Sequence, residues 1–171
     1  PSVVLGFIGV VTLVPLVKTV FHLPTGLTAL SGSIMLAFMA MPTIVSIAED
    51  ALYSVPKTYK EGALALGATH WQTIWRVMLP AASSGILAAV MLGIGRVIGE
   101  TMAVMMITGN AAVMPQSILV PVRTLTATIA AEMGEAVVGA EHYFALFAIG
   151  IVLFVISFAI SHYTKIIYYY I

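Results

Sequence analysis

Long apolar runs separated by polar segments dominate the chain, and these runs predict its main helices. A helix needs about 20 predominantly apolar residues to cross a bilayer. Four runs are close to this length, at residues 2–20, 27–47, 81–108 and 143–160. The pattern therefore predicts an all-α membrane protein, folded as one domain, with about four transmembrane helices.

Two polar segments between the runs differ in their basic residues, and the difference predicts their sides of the membrane. Cytoplasmic loops of membrane proteins carry an excess of Lys and Arg. The segment 49–80 and the C-terminal Lys165 together hold four basic residues, against Lys18 and Arg123 on the other side. This bias predicts that residues 49–80 and the C-terminus are cytoplasmic and that residues 109–141 are external.

The composition supports the membrane interpretation and narrows the possible functions. Of the 171 residues, 61% are hydrophobic and 8% are charged, whereas soluble domains have about a quarter charged residues. Seven basic and seven acidic residues balance, so the chain lacks the basic excess of a nucleic-acid-binding protein. It has no cysteine and four scattered histidines, and we expect no disulfide, metal or cofactor. The chain begins at Pro1 without Met, and we expect it to be part of a longer protein.

The predicted cytoplasmic segment carries the start and stop signals of two short helices. Pro56 suits the first turn of a helix, where its missing N–H costs nothing. Gly67 suits a helix C-terminus, and Thr69 with Gln72 three residues later matches a capping box. Pro80 would end the second helix or open the next span. The sequence therefore predicts two helices joined by a turn.

The same segment has an alternative interpretation as an amphipathic helix that lies among the lipid headgroups. Trp71 and Trp75 are four residues apart and would share one face of such a helix. This alternative does not explain why Glu61 and Gly67 lie six positions apart in the same segment.

The spacing Glu-x-Ala-x-x-x-Gly, followed after nine residues by a β-branched residue, one more residue and Leu-Pro, resembles the EAA loop of ABC importer permeases. Two positions depart from the family, which usually has Ala where Gly62 lies and Ile where Val77 lies. The resemblance implies a type I permease core whose cytoplasmic coupling loop docks into a groove on an ATPase subunit. The matching residues are Glu61, Ala63, Gly67, Leu79 and Pro80.

A pair of charged residues, Arg96 and Glu100, interrupts the third apolar run. A charge at this depth costs at least about 2.5–3.5 kcal/mol on insertion scales. Residues four apart share one face of a helix, and the flanking Gly95 and Gly99 would permit close helix contact. The pair therefore predicts either a solute path or a structural ion pair that holds helices together.

Three segments resemble the C-type permease of the phosphate-specific ABC importer: residues 95–104 (GRVIGETMAV), 121–130 (PVRTLTATIA) and 132–135 (EMGE). The likeness extends over roughly residues 35–160. It implies a multi-pass protein of the inner (plasma) membrane that functions with a second permease subunit and two ATP-binding subunits. It also implies a periplasmic or lipoprotein phosphate-binding protein as a partner.

The resemblance makes Arg96 and Glu100 candidate residues of the phosphate path. A guanidinium donates two parallel hydrogen bonds to an oxyanion and stays charged when buried. Glu100 would compete for Arg96 and keep anion binding weak. Arg123 is a candidate first contact for the anion outside the membrane. Alternatively, Arg123 is a solvated charge or forms an ion pair with one of two acidic residues, Glu132 and Glu135.

The chain has no Gly-x-x-x-x-Gly-Lys motif, so we expect ATP hydrolysis in a separate subunit and no enzymatic activity here. The first alternative is a permease for another oxyanion, sulfate or molybdate. The second is a secondary transporter or channel that uses Arg96 and Glu100 as an ion relay. A third is a purely structural or regulatory membrane subunit, for which a charged pair at this depth has no evident use.

Overall fold

The computed structural model describes residues 1–170, apart from the side chains of Lys165 and of residues 167–170. The described backbone is helical, and its β-structure is limited to an isolated bridge between Gly109 and Val122. The predicted all-α fold class is confirmed. Lys165, which contributed to the predicted orientation, lies outside the described side chains.

Nine α-helices and one π-helical turn, Ile74–Met78, make up the described helical structure. Three helices are long and apolar enough to cross a membrane: α1, α2 and the part of α9 from Glu141 to Thr164. The α-helices are α1 (Ser2–Val20), α2 (Ala29–Tyr53), α3 (Lys57–Ala65), α4 (His70–Thr73), α5 (Leu79–Ala81), α6 (Ser83–Ile98), α7 (Met102–Ile107), α8 (Leu125–Glu132) and α9 (Glu141–Tyr170).

The third apolar run does not form the single continuous span that the sequence predicts over residues 81–108. Its helix α6 has 16 residues, or about 24 Å at 1.5 Å per residue, whereas the hydrocarbon core is about 30 Å thick. Residues 99–101 are not helical, and α7 begins at Met102. The segment His70–Ala81 meets α6 at an angle of 72°. The two helical stretches are long and apolar enough for a fourth membrane span only when they are counted together. The prediction was wrong because Glu100 makes contacts that compete with a continuing helix. Its Oε1 accepts from the Ala103 N–H at the start of α7, and its carbonyl accepts from Thr126 Oγ1.

One compact unit comprises residues 1–39 and 96–158, and its core forms where α1 packs against α7. Glycines allow this close approach. A Cβ at Gly6 would lie 2.8 Å from Ala103 Cα, and a Cβ at Gly9 would lie 2.7 Å from Ile107 Cδ1. The buried residues of the core are Met35, Met39, Ala103 and Ile107.

A second compact unit comprises residues 40–95 and 159–171. In this unit α6 packs against α2 through small residues. A Cβ at Gly85 would lie 2.5 Å from Ala51 Cβ, and a Cβ at Gly93 would lie 2.4 Å from Ile44 Cγ1. At Gly95, a Cβ would have no described atom within 4 Å, so the close helix contact that this glycine would permit stays a prediction.

Candidate functional site

The predicted turn of the segment 49–80 lies at Gly67, directly after α3. Pro56 precedes the helix as its N-terminal cap residue, and Leu66 follows it. Gly67 has φ +82°, a left-handed conformation that glycine adopts without steric cost. Its N–H donates to the Leu64 carbonyl at 2.9 Å, so the turn satisfies a carbonyl at the helix end.

The second helical stretch begins with the predicted capping box. The Gln72 N–H donates to Thr69 Oγ1 at 3.2 Å, and the Thr69 N–H donates to Gln72 Oε1 at 3.0 Å. The helix then widens into the π-helical turn Ile74–Met78, which ends two residues before Pro80. A proline clashes with the carbonyl four residues earlier, here that of Arg76, and a wider turn relieves this clash. Insertions of this kind are frequent at functional sites.

A cleft of about 540 Å³ lies between α3 and this second helical stretch. Ala63 and Gly67 of the EAA-like pattern line it, together with Gln72 and Arg76. Glu61 is exposed in α3 and does not line the cleft. The other pattern residues, Leu79 and Pro80, lie in α5 beyond the cleft. The structure therefore brings two of the five pattern residues to one surface, and their docking role stays a prediction.

Trp71 and Trp75 form a separate aromatic patch on the second helical stretch. Their rings meet edge to face with centroids 5.7 Å apart. The two residues are 67% and 56% exposed, and neither lines the cleft. The surface that suits lipid headgroups and the cleft are thus formed by different residues, so the interfacial interpretation and the docking interpretation can apply to different faces.

A structural ion pair between Arg96 and Glu100, one of the two predicted alternatives, does not occur among the described residues. Helix α6 ends at Ile98, between the two residues. Glu100 Oε1 instead accepts a hydrogen bond from the Ala103 N–H, at the long distance of 3.4 Å, and so serves an N–H in the first turn of α7. Arg96 is exposed in the last turn of α6 and forms no ion pair with any described residue.

Arg123 has defined partners in the first unit. Its guanidinium Nη1 forms an ion pair with Glu132 Oε1, and its Nε donates to the Asn110 carbonyl at 3.2 Å. The second oxygen of Glu132 lies 3.1 Å from His142 Nε2. The structure thus selects the Glu132 alternative over Glu135. A first-contact role for Arg123 stays a prediction, and it would require the guanidinium to leave Glu132.

Sequence reasoning missed two members of this arrangement. His142 lies ten positions after Glu132, at the start of α9, and no local motif relates the two. Thr126 in α8 donates to the Glu100 carbonyl at 3.0 Å across 26 positions, which again has no sequence signal. Among the described residues, no group of three or more His, Asp or Glu could hold a metal ion.

Comparison with protein families identifies the chain. The family described as "Binding-protein-dependent transport system inner membrane component" matches residues 1–170. The chain therefore belongs to this family, and it is a multi-pass membrane protein. No solved structure is a significant match.

Curated relatives agree with the family match. The chain is 46% identical to the "Probable ABC transporter permease protein YqgH" of Bacillus subtilis, over 92% of this chain and 51% of that protein. It is 41% identical to the "Phosphate transport system permease protein PstC" of Xylella fastidiosa, over 85% of this chain and 45% of that protein. It is 38% identical to the PstC protein of Mesorhizobium japonicum, over 94% and 54%. The chain spans about half the length of these relatives.

Proposed function

We propose that this family member is the membrane-embedded permease part of an ATP-driven importer of inorganic phosphate. Relatives named as phosphate transport permeases support the choice of solute. The observation that carries the proposal is the exposed guanidinium of Arg96, which has no ion pair among the described residues. Its planar fork matches a tetrahedral oxyanion, to which it donates two parallel hydrogen bonds.

The surroundings of Arg96 favour an external anion as its partner. Glu100 accepts from the Ala103 N–H of α7, and Glu132 is paired with Arg123. An unpaired charge inside a membrane is costly, so a functional permease benefits when a mobile anion serves as counter-charge. Arg96 also lies in the last turn of α6. The dipole of this helix favours a cation at its C-terminal end, next to the break that contains Gly99.

The segment 49–80 is the proposed cytoplasmic coupling loop. Its cleft beside Ala63 and Gly67 offers a shaped surface to an ATP-binding subunit. Leu66 at the turn is 91% exposed, and an apolar side chain at a tip suits insertion into a groove of a partner. The full assembly would contain two ATP-binding subunits, a second permease subunit and an external phosphate-binding protein, with residues 109–141 on the outer side.

The decisive test measures uptake of radiolabelled phosphate by cells that express the full-length permease with its partners. We expect Arg96→Gln to reduce uptake by about tenfold or more, because hydrogen bonds to charged groups contribute about 1.5–3 kcal/mol. Arg96→Lys should lose less, since it keeps the charge but not the fork. Co-purification with the ATP-binding subunit controls for assembly.

Three results would contradict the proposal. Near-normal uptake by Arg96→Gln would remove Arg96 from the path. Full recovery of uptake in the exchange Arg96→Glu with Glu100→Arg would show that the two residues act as an ion pair, which the described residues do not form. Uptake of radiolabelled sulfate or molybdate, without uptake of radiolabelled phosphate, would assign the permease to another oxyanion.

A further inference from the structure

The break at residues 99–101 exposes backbone groups that no helix satisfies. The Glu100 N–H donates back to the Val97 carbonyl at 3.1 Å. The Glu100 carbonyl accepts from Thr126 Oγ1 at 3.0 Å. Backbone groups at membrane depth need protein partners, because lipid supplies none. The hydroxyl of Thr126 therefore fulfils a requirement that the break itself creates.

Thr126 is well fixed in its own helix. It lies in the first turn of α8, which begins after the cap residue Thr124. The side-chain oxygen of Thr124 accepts from the Ala127 N–H at 3.3 Å and lies 3.2 Å from Thr126 Oγ1. Ala127 is fully buried. These contacts fix the first turn of α8, and with it the direction of the Thr126 hydroxyl.

We propose that Thr126 is a positioning residue of the transport path, whose hydroxyl holds the Glu100 carbonyl and thereby sets the direction in which the end of α6 presents Arg96. The inference rests on the proposed function, in which Arg96 binds the anion. Arg96 is four residues before Glu100, and Ile98 is the last helical residue between them. Loss of the hydrogen bond frees the break and lets the last turn of α6 reorient.

The segment that supplies Thr126 also connects this position to the proposed external side. Arg123, three residues earlier, is bound to Glu132 at the end of α8 and to the Asn110 carbonyl. A displacement of the segment would move α8 as a unit and act on the Glu100 carbonyl through Thr126. Thr126 is thus the contact through which an event outside the membrane reaches Arg96.

Thr128 provides a matched control on the same helix. Its hydroxyl donates to the Thr124 carbonyl at 2.9 Å, a bond within α8 that does not involve the break. Thr126→Val and Thr128→Val each remove one hydroxyl and keep a β-branched shape. Thr126→Ser keeps the hydroxyl and should restore the contact.

Uptake kinetics give the first measurement, made on the full-length permease with its partners in cells. We expect Thr126→Val to raise the apparent KM for phosphate about two- to tenfold, the range of one hydrogen bond. Thr126→Ser and Thr128→Val should stay close to the wild-type value. A general loss of stability would instead lower the amount of permease in the membrane and affect the maximal rate, which immunoblotting would detect.

The second measurement does not depend on phosphate. The chain has no cysteine, so Ile98→Cys introduces the only thiol of these 171 residues at the end of α6. We expect a thiol reagent to label this position faster in Thr126→Val than in Thr128→Val, because the break is released. Equal KM values and equal labelling rates in the two variants would overturn the proposal.

The two measurements also separate this inference from the proposed function. A wild-type permease that imports no phosphate would overturn the proposed function. Faster labelling of Ile98→Cys in Thr126→Val would in that case still support the Thr126 contact, and unchanged labelling would overturn it.

Discussion

The coupling segment, which is residues 56–80 of the proposed coupling loop, and the break with its supporting segment, residues 99–132, are stabilised by different kinds of contact. In the coupling segment the bonds join near neighbours, such as Thr69 with Gln72 and Gly67 with Leu64. At the break, the Glu100 carbonyl is bound from 26 positions away. The following helix α7 packs on α1, whose Gly6 contacts Ala103.

This difference indicates what each region is suited to do. A segment with local bonds keeps its shape as a unit, which suits a surface that another subunit grips and moves. A break held by distant residues changes when those residues move, which suits a path that must open and close. We expect substitutions in the coupling segment to affect ATP hydrolysis and those at the break to affect handling of the anion.

Among the substitutions that test this difference between the two regions, Gly67→Leu should have the largest effect on activity. Gly67→Leu forces a branched side chain into a φ of +82°, which costs about 1–2 kcal/mol, and it places bulk at the cleft. We expect phosphate-stimulated ATP hydrolysis by the assembled complex to be abolished while membrane insertion persists. Gly139→Leu is the matched control, because Gly139 has φ +85° and equally open space but lies outside the coupling segment. Normal stimulation in Gly67→Leu would contradict the docking role.

Thiol labelling of intact cells tests the sides on which the two regions lie. Gln116→Cys, between α7 and α8, should react with a membrane-impermeant reagent, because we place residues 109–141 outside. Thr58→Cys in α3 should react only after the membrane is opened. These 171 residues contain no competing cysteine, and any cysteine elsewhere in the permease is replaced by serine for this test. The reverse pattern would overturn the orientation derived from basic residues, and with it the cytoplasmic coupling loop.

The smallest expected effect concerns the capping box of Thr69 and Gln72. It tests whether hydrogen bonds between near neighbours hold the coupling segment in shape. Thr69→Ala removes a cap that contributes about 1 kcal/mol, so we expect amide hydrogen exchange at Gln72 and Thr73 to rise about fivefold. Thr58→Ala, exposed in α3, should leave this exchange unchanged. Unaltered exchange in Thr69→Ala would show that tertiary contacts, and not the cap, start the helix.

Much of the fold could be predicted because its signals are local. The apolar runs indicated α1, α2 and α9, and Gly67, Thr69 and Gln72 indicated the turn and the second helix of the coupling segment. The small residues Gly85 and Gly93, eight positions apart, also carry a packing signal that a search for close helix contacts would find. The EAA-like spacing and the 95–104 segment indicated the family, which the match over residues 1–170 confirms.

The candidate site was less predictable, because its contacts depend on where α6 ends and on how the chain folds around α8, and no local motif indicates either. The spacing of Arg96 and Glu100 predicts one face of a continuous helix, yet the helix ends at Ile98 and Glu100 turns to α7. Similarly, Arg123 had two acidic candidates in sequence, and the fold brings Glu132 to it.

By itself, the sequence indicated the helices of the first, second and fourth apolar runs and the turn at Gly67, that the chain belongs in a membrane, and which residues carry charge there. These properties depend on side chains within a few turns of one another and on their transfer from water to lipid. Only the tertiary structure decided which charges are neutralised: Arg123 by Glu132, and Arg96 by no described residue. Pairing of charges requires two side chains to meet in space, and for Arg123 and Glu132 that meeting depends on how the chain packs around α8.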